Sequence, residues 1–251
     1  MVRIGTSGYS YSHWKGVFYP ATLSPSKWLE YYTRFFDTVE LNVTFYRQVK
    51  KEVFASWYRR TPDNFLFAVK GPRFITHLKR LRDCRNSLKI FFENALPLKE
   101  KMGVVLWQLP PSLKRDTSLL EEFCHVLKEE GYTRYLHAFE FRDNSWFEKE
   151  IYRILKKFSF ALCIAHSKRW HFEEIVTGDF LYLRFHGGEI LYGSEYSDDE
   201  LKEWGRKIKE WERQKKRVFA YFNNDYKGFA VKNALKLKRS LKNMIELDFR
   251  Q

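Results

Sequence analysis

The chain has 251 residues, close to the roughly 250 typical of one closed barrel of alternating strands and helices, and its 44% hydrophobic and 18% aromatic content excludes a disordered chain. Lys and Arg number 45 against 31 Asp and Glu, a formal net charge of +14 that attracts phosphates and other anions. No run approaches the roughly 18 uninterrupted apolar residues that span a bilayer, and no basic-then-apolar leader opens the sequence, so a cytoplasmic protein with no membrane partner is expected.

In chain order, apolar β-prone runs recur at 2–6, 38–41, 65–70, 104–109, 135–141, 160–165, 180–185 and 218–222. Most are apolar on consecutive positions, the pattern of strands covered on both faces of a parallel sheet. Helical patterns fill the intervals. Ser24 before Pro25 reads as an N-cap and first helical residue, with Trp28, Leu29, Tyr32, Phe35 and Phe36 along one face. Ser118 with Glu121, Ser145 with Glu148, and Ser197 with Glu200 read as capping boxes that open three further helices. The segment 167–179 is only weakly periodic, which predicts a short or irregular helix there. Cys84, Cys124 and Cys163 are an odd set without CxxC spacing, consistent with buried thiols and no disulfide framework.

Strand then helix, repeated eight times with short connections, requires parallel pairing through right-handed crossovers. The expected fold is therefore α/β: one (β/α)8 barrel of eight parallel strands, a single domain over 1–251. An open doubly wound sheet is the runner-up, but Gly5-Thr6-Ser7-Gly8 after the first strand lacks the spacing of a dinucleotide-binding loop.

In such a barrel the loops after the strands build the site. The polar residues at those ends are Thr6, Ser7, Glu40, Asn42, Lys70, Gln108, Glu140, Arg142, His166, Arg184, His186, Asn223, Asn224 and Asp225. Any one has a bland explanation: Glu140 and Arg142 as a salt bridge, Gln108 as a partner for backbone groups beside Pro110 and Pro111. Their convergence on one mouth points to a ligand site, since so many polar groups are costly to desolvate.

The motifs at these ends resemble the YecE-like barrels, the family catalogued as domain of unknown function 72. They are Thr6-Ser7-Gly8, WKGVFYP at 14–20, VELNVTFY at 39–46, Thr61-Pro62 with 65–70, Thr76-His77, QLPP at 108–111, Glu140-Phe141-Arg142 with Ser145-Trp146, RFHG at 184–187 and FNND at 222–225. The resemblance covers nearly the whole chain and implies a TIM-type barrel with a polar C-terminal mouth. The chain departs from the family's pattern at Asp143, where His is usual, and at His166, where an acidic residue is frequent, so ligand-level implications do not carry to those two positions.

Three mechanisms fit these residue types. Glu40, Glu140, His186 and Asp225, with His166, would hold a divalent metal that activates water toward a phosphoester. Glu40 and Glu140 would act as acid and base on a sugar-like substrate, beside the flat surfaces of Tyr9, Tyr11, Trp14, Phe45, Tyr46 and Trp146. Lys70, desolvated beside Arg142 or Arg184, would form a Schiff base with a carbonyl. The lysines and arginines at 207–217 and 232–242 would instead follow a phosphate backbone in a non-enzymatic nucleic-acid-binding protein.

The expectation carried forward is an enzyme acting on a phosphate-bearing substrate, with a nucleic-acid phosphodiester among the candidates. Glu40, Glu140 and His186 are its catalytic residues. Thr6, Ser7, Asn42, Tyr46, Lys70, His77, Gln108, Arg142, Trp146, Arg184, Asn223, Asn224 and Asp225 are its binding residues. A carbohydrate or carbonyl-compound enzyme is the alternative.

Overall fold

The computed structural model describes residues 1–248, so the last residues of the 1–251 span lie outside the described residues. Its eight strands are β1 Val2–Thr6, β2 Thr38–Leu41, β3 Leu66–Lys70, β4 Met102–Gln108, β5 Leu136–Glu140, β6 Ala161–His166, β7 Phe180–Phe185 and β8 Arg217–Phe222. Each falls within a residue or two of an apolar run, the ordinary scatter of strand ends. All pair in parallel in the order β1-β8-β7-β6-β5-β4-β3-β2.

Closure between β1 and β2 is indirect. Ser7 and Glu40 form an isolated parallel bridge, and the Gly8 amide donates to the Glu40 carbonyl at 2.7 Å. Further down, the Tyr32 hydroxyl enters the seam, accepting from the Thr6 amide at 3.0 Å and donating to the Thr38 carbonyl at 3.1 Å. Gly5 permits this approach, because a Cβ there would lie 2.3 Å from the Thr38 carbonyl oxygen.

The helices are α1 Trp28–Tyr32, α2 Val43–Tyr46, α3 Lys51–Arg59, α4 Arg85–Ala95, α5 Thr117–Glu129, α6 Lys149–Lys157, α7 Asp198–Arg213 and α8 Phe229–Asp248. The β6–β7 connection carries no helix, so the short or irregular helix expected over 167–179 is absent, its weak periodicity offering no apolar face to pack on the sheet. No described helix is long and apolar enough to cross a membrane.

Of the three capping boxes, one forms. Ser197 Oγ accepts from the Glu200 amide at 3.2 Å, and Glu200 Oε2 accepts from the Ser197 amide at 2.8 Å. At α5 the cap is Asp116, whose carboxylate takes the Leu119 amide at 3.0 Å, while Glu121 pairs with Lys157 at 2.7 Å. Ser145 is bound to Asp143 Oδ1 at 2.6 Å and to the Arg115 amide at 2.8 Å, and α6 starts later, at Lys149. In both failures a nearby Asp offers a charged acceptor that a serine hydroxyl does not match. Ser24 stands before a 3-10 turn at Pro25–Lys27, and its hydroxyl lies 2.9 Å from that of Ser26 instead of capping. Ser197→Ala is expected to cost about 1 kcal/mol of unfolding free energy, and Ser118→Ala almost none, in urea titrations of the two variants.

Two apolar layers enclose the sheet from within and without. Inside the barrel, small and aromatic residues fill the lower part: Ala68, Val104, Leu106, Ala138, Cys163, Phe180, Tyr182, Phe219 and Tyr221. Outside, a larger aromatic-rich cluster joins sheet to helices. The three thiols are buried and free.

Candidate active site

Alternation along each strand decides which side chains reach the mouth, because inward positions are two residues apart. On β7, Phe180 and Tyr182 are followed by Arg184 and then His186. On β5, Ala138 is followed by Glu140 and Arg142; on β3, Ala68 by Lys70; on β2, Thr38 by Glu40. The lower members fill the barrel, and the upper members form an ionic layer above them.

Arg184 is the hub of that layer, although only 1% exposed, and Glu40 and Glu140 have no exposed surface. Its Nε and Nη2 donate to the two oxygens of Glu40 at 2.9 and 2.8 Å, a bidentate fork, while Nη1 donates to Glu140 Oε2 at 2.6 Å. Arg142 Nε donates to the other oxygen of Glu140. Ser7 Oγ and Tyr182 OH donate to Glu40, the latter at 2.6 Å. Two carboxylates are thus matched by two guanidiniums.

The neighbouring charges set the protonation states. Burial alone would raise the Glu140 carboxyl, but Arg142 and Arg184 outweigh it and hold it well below the usual carboxylate range. Burial lowers Arg184, and the two carboxylates more than compensate, so it stays charged. Burial, then Arg184 and Arg142, pushes His186 well below its ordinary value. Its Nε2 lies 3.4 Å from Arg142 Nη2 and its Nδ1 3.1 Å from the Asn223 amide. Since an arginine only donates, Nε2 is an acceptor toward Arg142, and burial beside two guanidiniums disfavours the protonated ring.

Lys70 differs from the rest of the layer. It is 6% exposed, with no ion pair or hydrogen bond for its amine among the described residues, yet the nitrogen is not sealed from solvent. The Nζ atom sits 4.0 Å from the centre of the Phe45 ring. Burial first, then Arg184, pushes its pKa down to about 7 against the partial opposition of Glu140 and Glu40.

Other expected site residues distribute around this layer. Asn42, half-buried, follows Glu40, and its Oδ1 has no hydrogen-bond partner among the described residues. Gln108, half-buried, ends β4. His77 rests edge-on against Phe45 at 5.0 Å and is held down to about 4, first by burial and then by Lys70, Arg73 and Arg142. Tyr46 stands out at the rim, 76% exposed. Asp225 is also at the rim, its carboxylate 3.7 Å from His13 Nε2.

Three expected binding residues point elsewhere. Trp146 lies in the outer layer, stacked on Phe141 at 4.8 Å and donating to the Leu113 carbonyl at 2.7 Å, because Phe141 has outward parity. Thr6 belongs to the β1–β2 seam, and its hydroxyl donates to the Gly8 carbonyl at 2.6 Å. Asn224 braces the following loop, donating to the Ser194 carbonyl at 2.9 Å and to Asn233 Oδ1 at 2.8 Å.

Two side chains that the sequence reading passed over cover the mouth. The Arg142 guanidinium lies 3.6 Å from the centre of the Trp170 ring, and Trp170 and Tyr192 both stand edge-on to His186, at 5.1 and 5.5 Å. Trp170 comes from the irregular 167–179 segment, where no periodic signal could have flagged it. Tyr182 was hidden inside an apolar run, and its shared parity with Arg184 is the signal that finds it.

A divalent metal does not fit this arrangement. Guanidinium and hydroxyl donors already occupy the carboxylate oxygens. The expected fifth ligand, His166, packs against Phe172 and Trp204, with Nδ1 2.8 Å from the Tyr196 hydroxyl. Among the described residues, no three of His, Cys, Asp or Glu form a metal-holding group.

Comparison with known proteins matches the geometry to one family. UPF0759 protein YunF of Bacillus subtilis (strain 168) is 27% identical over 98% of this chain and 94% of its own length. UPF0759 protein YecE of Escherichia coli (strain K12) is 32% identical over 52% of this chain and 46% of its own. A crystal structure of a DUF72 family protein from Thermotoga maritima MSB8 superposes with a TM-score of 0.85 at 35% identity, covering 96% of this chain and 99% of that one. A second, from Enterococcus faecalis V583, shares the fold with a TM-score of 0.83 at 23% identity over 96% of each chain. Residues 3–248 match the model described as "Protein of unknown function DUF72", and with that match the chain belongs to the DUF72 family.

Proposed function

We propose that the barrel mouth is the active site of an enzyme acting on a small anionic carbonyl compound, phosphate- or carboxylate-bearing, with Lys70 as the nucleophilic amine. The observation that carries this reading is the Lys70 amine itself, buried at the end of β3 over Phe45 with no hydrogen-bond or ion-pair partner among the described residues. An amine with a pKa near neutrality is in large part uncharged at pH 7 and has a lone pair to give. Its nitrogen would add to the carbonyl carbon. The oxygen, after taking up two protons, would leave as water, and a C=N bond to Lys70 would remain. Arg142, at the rim beside His186, is the group suited to holding the substrate's negative charge.

Two other readings have less support. Glu140 is held as a carboxylate by two arginines, so it has no proton to donate near neutral pH and is a feeble base. That argues against both a carboxylate-pair glycosidase and a metal-dependent phosphodiester hydrolase. The basic residues of the last two helices are also largely paired. Lys207, Lys232 and Lys236 meet Glu174, Glu195 and Asp198 at 2.6, 2.9 and 2.7 Å, which weakens a phosphate-tracking surface.

Reductive trapping tests the proposal. With glyceraldehyde 3-phosphate and cyanoborohydride at pH 7, one stoichiometric adduct is expected, and peptide mass spectrometry should place it on Lys70. Inorganic phosphate should slow its formation. Adducts scattered over exposed lysines, with none on Lys70, would sink the assignment.

A further inference from the structure

Beside the mouth lies an apolar cleft of about 460 Å³, walled by α2, the turn Phe74–Leu78 and α4. Isolated exposed hydrophobic residues are ordinary, but contiguous ones mark a binding surface. Among the described residues, four of the twelve exposed large hydrophobic side chains converge here: Tyr46, Phe74, Leu78 and Ile90. Phe45, which carries the Lys70 amine against its ring, is also part of the wall.

The cleft is positively charged as well as apolar. Arg47 and Arg73 line it, no acidic side chain does, and neither arginine has an ion pair or hydrogen bond from its guanidinium among the described residues. Elsewhere on the surface several arginines face a carboxylate, as Arg60 does Glu30, Arg82 does Asp116 and Arg85 does Glu129, whereas the wall of this cleft holds none. Two guanidiniums over exposed aromatic and aliphatic surface, with no carboxylate in the wall, are complementary to a ligand that brings a negative charge on an apolar body.

We propose that this cleft is a ligand site for a free aryl- or alkyl-substituted carboxylate or phosphate monoester, whose apolar body lies against Phe74, Leu78 and Ile90 and whose anionic head meets Arg47 and Arg73. The cleft volume matches a small molecule, within the roughly 300–1,000 Å³ of such sites, whereas a stable protein partner needs about 800 Å² on each side. The inference does not depend on the Lys70 chemistry, and its test does not involve that residue.

The test is calorimetric titration of the full chain with 4-phenylbutyrate, 4-phenylbutanol and 4-phenylbutylamine, which share one body and differ in head charge. The carboxylate is expected to bind at least about tenfold more tightly than the alcohol, and the amine not at all. Arg47→Gln with Arg73→Gln should remove that preference while leaving the alcohol's affinity unchanged. Ile90→Glu, at a surface position that does not threaten the fold, should abolish carboxylate binding. Equal affinity for the three probes, or none for any, would overturn the proposal. So would concentration-dependent self-association, seen by sedimentation, that excludes phenylbutyrate, because the occupant would then be a second copy of the chain.

Discussion

Arg184→Met should unfold at markedly lower temperature than the parent and lose about 3–5 kcal/mol of stability at pH 7. For a chain of this size that corresponds to a fall in Tm of about 6–20 °C. A buried pair is a weak source of net stability while intact, but removing one partner leaves an uncompensated charge in the interior. Arg184 supplies the fork to Glu40 and one bond to Glu140, so its loss strands more than one acceptor. The pH dependence gives an independent sign. In the parent, the folded Glu140 carboxyl lies below its unfolded value of roughly 4.3, so its contribution is complete above that pH and is lost as pH falls through the folded value. In the variant, a carboxylate stripped of its guanidinium gains by taking up a proton, so the deficit should narrow between pH 7 and pH 5. Urea midpoints for both proteins at the two pH values measure this. A variant as stable as the parent at pH 7 would mean that Arg184 does not anchor the layer.

The apolar runs identify the strands because a doubly covered parallel sheet leaves no polar face to break them, as at 180–185. The same runs contain the site's address, since Tyr182, Arg184 and His186 share one parity and the mouth is where that series turns ionic. Parity also separates Glu140 and Arg142, which face inward, from Phe141 and its stacking partner Trp146, which do not. A reading by position at a strand end, without parity, places Trp146 and Asn224 in the site when both are structural.

Pairing within the layer is a different matter. Glu40 and Arg184 lie 144 positions apart, and nothing local in either segment says that the arginine's fork will neutralise that carboxylate. Composition therefore makes Glu40 and Glu140 look like an acid and a base, whereas three-dimensional pairing makes them the counter-ions of two arginines. Caps fail for a related reason. Ser118 and Ser145 have the right spacing, but Asp116 and Asp143 are stronger acceptors close by and decide where each turn begins. What pairing consumes is hidden from the sequence, and so is what it leaves over: Lys70 stands out only after the other charges have been matched.

Lys70→Met is expected to abolish the trapped adduct completely and, at the same time, to raise stability near and below pH 7. Both follow from one fact. The folded amine has a pKa of about 7, against an ordinary value of roughly 10.4, because burial and Arg184 oppose its charge. Between those values the unfolded chain binds more protons than the folded one, so stability should rise with pH across that window. Below pH 7 the folded protein carries the full cost of a buried charge without a partner, a cost that methionine avoids with a side chain of similar length. The stability advantage of the variant should therefore be greatest below pH 7 and fade toward pH 10. Adduct formation by the parent should follow the same group in the opposite direction: slow at pH 5, rising through about pH 7 as the amine loses its proton, and level above pH 8. Reaction at exposed lysines would keep rising toward pH 10. If trapping by the parent follows that later rise, or if Lys70→Met is neither more stable nor less reactive, Lys70 is a structural cation and the mouth needs another nucleophile. A plateau near neutrality, with a stabilised and unreactive variant, would mean that folding leaves this one amine unpaired at a cost in stability and that reactivity is what the cost sustains.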